Sequence, residues 1–462
     1  MKYLFFLLLL ITLNAFPQNS SNNAKVILVD KLLDSLVVNP TSFFNRTDPN
    51  WRILCNNLQH VDIQKLNQIT SSIFEGLQPI IENESSSSEG ILGSLNKSSH
   101  DKKLKKFNKK NTNDFTNKQL FPNNKIVLVE GDSWFEYPLF LREITDNLMK
   151  QDNLAVYSMA SGGDWAANMI SSNDYQEEYL SIKPDVFIIS GGGNDIVEDN
   201  RLMNLILDKP YAVDDPFLKD YREYVVLRQN NKPVPMCNAN FCPIEYHLFK
   251  DSITQLTSNV DGLDLEKIVN GRRFLNNNYY RWLVTFKLEY KILFESLRKL
   301  DSTNFDSLKI ITQGYDYAIP NSNKKFGVRL LMENGKWIKK PLELIGITDQ
   351  YTQESIIMAI MFDFNEMLIE LGKEYNNIYH VDVRGFTRYL EVQDNKKPGT
   401  YWFDELHPTN EVFAEISQTY ITIINDNVLK DKRVFNVIQY FEENDSQPHN
   451  LGGKKINFNL KN

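Results

Sequence analysis

Three short apolar runs, each followed by a polar motif rich in glycine, constrain the fold of this chain most strongly. They occupy residues 125–130, 154–159 and 185–190. Short β-rich apolar runs bounded by glycine are typical of parallel strands that are covered on both faces. Because ligands of open α/β sheets bind outside the carboxyl ends of such strands, we expect the motifs to lie at a binding site.

The motifs supply side chains that could work together chemically. In chain order they are Gly131-Asp132-Ser133-Trp134, Ser161-Gly162-Gly163-Asp164, Gly192-Gly193-Asn194-Asp195 and Asp404-Glu405-Leu406-His407. A serine hydroxyl becomes a nucleophile when a base removes its proton, and histidine suits that task near neutral pH. A carboxylate on the far ring nitrogen fixes the histidine tautomer. Ser133, His407 and Asp404 are therefore the candidate triad.

Taken in order, the motifs resemble those of the SGNH hydrolases in the GDSL esterase/lipase superfamily. Ser133, Gly163, Asn194 and His407 match the four family blocks, over a stretch from about Lys125 to about Val428. Trp134 departs from the pattern, since leucine is usual there. The resemblance implies a three-layer, flavodoxin-like α/β fold with a parallel five-stranded sheet, which we expect in the order 2-1-3-4-5. Residues 309–314 and 378–383 are the predicted fourth and fifth strands.

The resemblance also implies an oxyanion hole and a reaction without a metal or cofactor. Its donors would be the backbone N–H groups of Ser133 and Gly163 and the side-chain amide of Asn194. The absence of a Cβ at Gly163 would allow close approach of the backbone. We therefore expect a secreted serine ester hydrolase of the carboxylesterase or acetylesterase type. Its substrate would be a small-molecule or glycan ester, for which we prefer an O-acetylated carbohydrate.

Other interpretations remain open for these residues. Ser133 could cap a helix that begins at Trp134, Gly162 and Gly163 could only shape a turn, and Asn194 could satisfy a loop carbonyl. His407 could cap the helical pattern that follows it. At the level of function, the alternatives are an acyltransferase that acts on a sugar or envelope polymer, and a non-catalytic glycan-binding protein on the same fold.

The chain divides by composition into several segments. We predict a signal peptide at 1–18, a helical N-terminal segment at 25–82, a low-complexity linker at 83–121, the hydrolase domain at 122–430 and a tail at 431–462. Within the domain we predict an insertion at about 200–271. This insertion could form a lid or a wall of the substrate cleft, or its aromatic residues could simply belong to the core. A long helix should follow it through Trp282, Phe286 and Tyr290.

Charge, cysteines and the amino terminus bound the cellular setting. A net charge of −8 argues against a nucleic-acid partner. The apolar stretch from Leu4 to Leu13 is too short for a permanent membrane span and is typical of an export signal, which predicts a secreted or periplasmic protein. In such a compartment Cys237 and Cys242 could form a disulfide, or all three cysteines could stay reduced. The sequence does not determine the oligomeric state.

Overall fold

A computed structural model describes residues 24–33, 53, 57, 100–137, 141–172, 174–210, 263–321, 337–426 and 432–444. The predicted signal peptide at 1–18 and the cysteines Cys237 and Cys242 lie outside the described residues. Only 25–33 and two further residues of the predicted segment 25–82 are described, and 24–33 are helical. Among the helices of the described ranges, none is long and apolar enough to cross a membrane.

A fully parallel sheet of six strands forms the centre of the molecule, in the order β2-β1-β3-β4-β5-β6. The predicted order 2-1-3-4-5 is confirmed, and one strand beyond the predicted five extends the sheet next to β5. β3 and β5 are buried along their whole length, as strands with helices on both faces must be. The strands are β1 Lys125–Gly131, β2 Leu154–Ser158, β3 Val186–Ser190, β4 Lys309–Gln313, β5 Ile378–Asp382 and β6 Val434–Asn436.

Helices connect the strands and cover the sheet. They are α1 Phe115–Leu120, α2 Ile144–Leu148, α3 Ala166–Ser172, α4 Asp174–Ile182, α5 Gly193–Val197, α6 Leu202–Leu205, α7 Leu263–Arg272, α8 Asn277–Leu300, α9 Lys339–Leu344, α10 Gln350–Gly372, α11 Phe386–Gln393, α12 Asn410–Asn425 and α13 Val437–Asn444. α2 packs against α12, whereas α8 packs against α3, α4 and α10. α8 is the long helix predicted from its aromatic residues.

The second half of the predicted linker is ordered structure, so that part of the prediction is wrong. Residues 100–108 are helical, and α1 follows. Lys103 is only 4% exposed and pairs with the carboxylates of Glu136 and Glu143. Phe107 packs edge-on against Tyr157, with 5.1 Å between ring centroids. The lysine-rich composition suggested a solvated segment, but contacts such as those of Lys103 and Phe107 attach it to the domain.

The predicted tail at 431–462 also contains part of the domain, because β6 and α13 lie within it. His380 of β5 pairs in register with Val434, which starts β6. Phe441 of α13 then packs on Phe386 and Tyr389 at centroid distances of 5.8 and 6.1 Å. The domain therefore continues to residue 444.

The described ends of the predicted insertion 200–271 lie side by side. Leu207 N donates to the Phe274 carbonyl at 2.7 Å, and Asn276 N donates to the Leu205 carbonyl at 3.0 Å. In α7, a Cβ added at Gly271 would come within 1.8 Å of the Ser355 carbonyl oxygen in α10. Glycine therefore permits the close approach of these two helices. Residues 211–262 lie outside the described ranges.

Candidate active site

Three of the four motifs lie at the carboxyl ends of neighbouring strands, and hydrogen bonds join the segments that follow these strands. Ser161 N, after β2, donates to the carbonyl of Gly131 at the end of β1, 2.9 Å away. The Asn194 side-chain amide, after β3, donates to the Asp164 carbonyl at 3.0 Å. The segments after β1, β2 and β3 therefore form one continuous edge, as the sequence predicted.

The structure brings Ser133, His407 and Asp404 into a hydrogen-bonded chain. His407 Nε2 is 2.6 Å from Ser133 Oγ, and its Nδ1 is 2.8 Å from Asp404 Oδ1. An ionised carboxylate can only accept, so Nδ1 carries the hydrogen and Nε2 presents its lone pair to the serine hydroxyl. Ser133 is 9% exposed and His407 4% exposed, so the contacts are largely shielded from water.

A tight turn accounts for the spacing of three residues between Asp404 and His407. The backbone N–H groups of Leu406 and His407 both donate to Asp404 Oδ1 at 2.8 Å. Phe403 N donates to the His407 carbonyl at 2.7 Å and closes the turn. Burial acts to raise the pKa of Asp404, but the His407 imidazole and these hydrogen bonds outweigh it, so the pKa lies below its usual value. Asp404 is therefore held as an anion beside the histidine.

No helix begins at Trp134, since residues 133–135 form a turn, and it is Asp132 rather than Ser133 that accepts hydrogen bonds from the backbone N–H groups of this turn. Its Oδ1 accepts from Trp134 N at 3.1 Å, and its backbone carbonyl accepts from Phe135 N at 3.0 Å. The other carboxylate oxygen accepts from the Tyr315 hydroxyl. Burial raises the pKa of Asp132 to about 6, against the lowering effect of the bonds from Tyr315 and Trp134. The Ser133 hydroxyl is thus available to His407.

Of the other two oxyanion candidates, Gly163 lies in the loop after β2 and Asn194 lies in the first turn of α5. Gly163 is exposed and has a φ of 86°, in the left-handed region that favours glycine. Asn194 is 7% exposed, and its amide also satisfies a loop carbonyl, as the alternative interpretation allowed. Because a side-chain amide has two hydrogens, this bond and a bond to a substrate oxygen can be made together. The neighbouring Asp195 accepts from Ala166 N at 2.9 Å and fixes the Gly163 loop to α5.

Three residues beside His407 were not predicted from the sequence. Tyr137 packs its ring on the imidazole, with centroids 4.7 Å apart, and its hydroxyl hydrogen-bonds to Asp404. Trp337 approaches the imidazole edge-on at 6.4 Å between centroids. Glu405, inside the last motif, accepts hydrogen bonds from the backbone next to Trp337. Tyr137 and Glu405 could have been suspected from their closeness to motif residues, whereas nothing in the sequence marks Trp337.

Comparisons with solved structures find distant likenesses. A protein described as a GDSL-like lipase from Parabacteroides merdae is 14% identical, with a TM-score of 0.30, over 66% of this chain and 97% of that one. A variant of an acetyl-xylooligosaccharide esterase from Geobacillus is 11% identical, with a TM-score of 0.29, over 66% and 96%. An α/β hydrolase from the metagenome of Lake Arreo is 12% identical, with a TM-score of 0.27, over 65% and 97%.

The chain matches no family model. No curated protein matches it either. The side-chain geometry of the site, and not these likenesses, therefore carries the function proposed below.

Proposed function

We propose that the protein is a serine ester hydrolase that acts through an acyl-enzyme on Ser133. The 2.6 Å contact between His407 Nε2 and Ser133 Oγ, with Asp404 on the far ring nitrogen, carries this proposal. His407 takes the serine proton as Oγ attacks the ester carbonyl, and then returns the proton to the departing alcohol. A water activated by His407 hydrolyses the acyl-enzyme and releases the acid. The same geometry weighs against a purely binding role.

The negative charge of the tetrahedral intermediate would be bound by Gly163, Asn194 and the Ser133 backbone. Asn194 Nδ2 is fixed by its 3.0 Å bond to Asp164, so it needs no reorganisation as charge develops. Removal of one such donor typically lowers the rate by about 10²- to 10³-fold. We therefore expect Asn194→Ala to reduce turnover by this factor while Ser133 still reacts with a covalent serine probe.

For the substrate we propose an acyl ester exposed outside the cytoplasm, with an O-acetylated carbohydrate preferred. The support is the apolar stretch from Leu4 to Leu13 after Lys2, which favours export to the periplasm or medium. Aromatic residues at the site, such as the half-buried Trp337, are suited to a sugar ring. Appearance of the protein in the periplasmic or culture fraction, with its amino terminus shortened, would support export.

The test is hydrolysis of p-nitrophenyl acetate by the purified protein and by Ser133→Ala. Ser158→Ala, at the end of the neighbouring strand β2, is the matched control for loss of a buried serine. We expect turnover in the wild type and the control, and a loss of several orders of magnitude in Ser133→Ala. Turnover at the wild-type rate by the folded Ser133→Ala variant would overturn the mechanism.

A further inference from the structure

The Glu405 carboxylate accepts hydrogen bonds from four backbone N–H groups. Its Oε1 accepts from Asn321 and Lys339 at 3.0 Å, and its Oε2 accepts from Trp337 and Ile338 at 3.1 Å. Glu405 is 2% exposed. Bonds of this charge-assisted kind are about twice as strong as neutral ones. The Glu405 side chain, which lies in the same turn as His407, therefore fixes the backbone around Trp337.

Trp337 and Tyr137 both contact the His407 ring. The Trp337 indole lies at 82° to the imidazole plane with 6.4 Å between centroids, and the Tyr137 ring lies at 66° with 4.7 Å. The two differ in exposure, because Tyr137 is 8% exposed and its hydroxyl is bonded to Asp404, whereas Trp337 is only half-buried. Of these two aromatic residues, Trp337 is therefore the one that still offers surface to a ligand.

The reaction chemistry assigns this surface to one part of the substrate. His407 must deliver its proton to the leaving oxygen, so the alcohol part of an ester lies beside the imidazole. The acyl part lies at Ser133 and the oxyanion donors. We propose that Trp337 forms the alcohol-binding side of the site, that Glu405 is the positioning residue that holds it, and that the site selects esters of ring-bearing alcohols. This inference rests on the proposed esterase function.

The kinetic steps separate this role from a general effect on catalysis. The alcohol leaves when the acyl-enzyme forms, and hydrolysis of that acyl-enzyme involves no alcohol. A residue that binds only the alcohol therefore affects acylation and kcat/KM, and leaves the rate of deacylation unchanged. Damage to His407 or to the oxyanion donors would slow both steps.

The first experiment uses three acetate esters that share one acyl group: 1-naphthyl acetate, a monoacetylated methyl hexoside and ethyl acetate. For Trp337→Ala we expect kcat/KM to fall roughly 3- to 10-fold on the ring esters, the range for one aromatic contact. The kcat/KM for ethyl acetate and the deacylation rate should fall less than the kcat/KM for the ring esters, and Trp337→Phe should keep most of the preference. A fall on the naphthyl ester alone would identify an aromatic alcohol, and a fall on the hexoside would identify a sugar.

An equal fall of kcat/KM for all three esters, or no fall for either ring ester, would overturn the role of Trp337. A wild type that hydrolyses none of the three would instead count against the esterase function itself. The two failures are therefore distinguishable. Deacylation is measured from the steady rate after the burst of released alcohol.

The second experiment tests whether Glu405 acts through Trp337. Glu405→Gln keeps the size of the side chain but replaces one acceptor oxygen with an amide that cannot accept from the N–H groups. We expect the same selective loss on ring esters, and no further loss when Glu405→Gln is added to Trp337→Ala. Asp185→Asn is the control, because Asp185 also accepts a hydrogen bond from a backbone N–H group, that of Ile126 at 2.8 Å. This bond lies where β1 and β3 begin, at the end of the strands opposite to the site. Losses of kcat/KM that add in the double variant would overturn the role of Glu405. If Glu405→Gln does not fold, Trp337→Ala still tests the alcohol-binding site.

Discussion

The indole N–H of Trp134 donates a hydrogen bond to the backbone carbonyl of Leu406, 3.1 Å away. Trp134 follows Ser133 in the chain and Leu406 precedes His407, so this bond joins the loops that hold the nucleophile and the base. The Trp134 ring is 2% exposed and lies edge-on to Tyr315 and Phe413, each at 5.4 Å. The tryptophan that departs from the SGNH pattern thus connects two loops beneath the site.

We expect Trp134→Leu to lower kcat without changing the preference for acyl chain length. Loss of the bond leaves the Leu406 carbonyl without this donor and costs about 1 to 3 kcal/mol, part of which would loosen the Ser133–His407 contact. The measurement is turnover of acetyl, butyryl and octanoyl p-nitrophenyl esters by the variant and the wild type. A changed ratio of acetyl to octanoyl rates would mean instead that the Trp134 ring lines an acyl pocket.

Asp404→Asn should preserve the fold and lower kcat by on the order of 10⁴-fold, as expected when a histidine is held in the wrong tautomer. An asparagine amide would present either a donor or a neutral oxygen to Nδ1, so the imidazolium would lose its counter-charge. Turnover and thermal unfolding are measured together. Asp349→Asn is the control, because asparagine caps the exposed start of α10 about as well as aspartate, and it should leave turnover and stability nearly unchanged. A loss smaller than 10-fold would contradict the assigned role of Asp404.

Tyr137→Phe should separate the hydroxyl that contacts Asp404 from the ring that contacts His407. Loss of the hydroxyl removes a hydrogen-bond donor from Asp404, so this carboxylate is held less firmly beside His407. We therefore expect kcat to fall several-fold. Tyr137→Leu should lower kcat further, because the imidazole also loses its packing surface. A kcat of Tyr137→Phe equal to that of the wild type would mean that the hydroxyl has no influence on the reaction.

Local sequence patterns were sufficient to predict most of the sheet, and they selected three residues that the structure brings together, Ser133, Asp404 and His407. The first five strands are apolar runs, and the spacing of Asp404 from His407 reflects a turn closed within four residues. Both features are determined by neighbours in the chain. The strand order also follows from the resemblance to a known family.

The features that the sequence did not reveal depend on contacts between distant residues. The composition around Lys103 is typical of a solvated segment, whereas in the structure Glu143, 40 positions away, pairs with this lysine in the core. β6 has only three residues and is stabilised by its place next to β5. Trp337 lies beside His407 in space, and Glu405 accepts hydrogen bonds from the backbone at Trp337 and Ile338. Such contacts leave no period or motif in the sequence.

His380, in the centre of β5, should make the stability of the protein depend on pH. It is 1% exposed, and its Nδ1 is 3.0 Å from Thr312 Oγ1. Burial lowers the pKa of His380 from 6.5 to about 3, so the folded state keeps the ring neutral while the unfolded chain takes up a proton below pH 6.5. The contribution of His380 to the free energy of unfolding is therefore fully present above pH 6.5, and it falls by about 1.4 kcal/mol per pH unit below that value.

Substitution of His380 by glutamine should remove this dependence. At pH 7 we expect His380→Gln to be about 1 kcal/mol less stable than the wild type, because the packing and the bond to Thr312 are disturbed. At pH 4.5 the wild type loses roughly 2 to 3 kcal/mol that the variant does not, so the order should reverse. Urea unfolding at the two pH values measures the difference between the proteins, in which the common titration of carboxylates cancels. An equal difference at both pH values would show that His380 is protonated in the folded state as readily as in the unfolded chain.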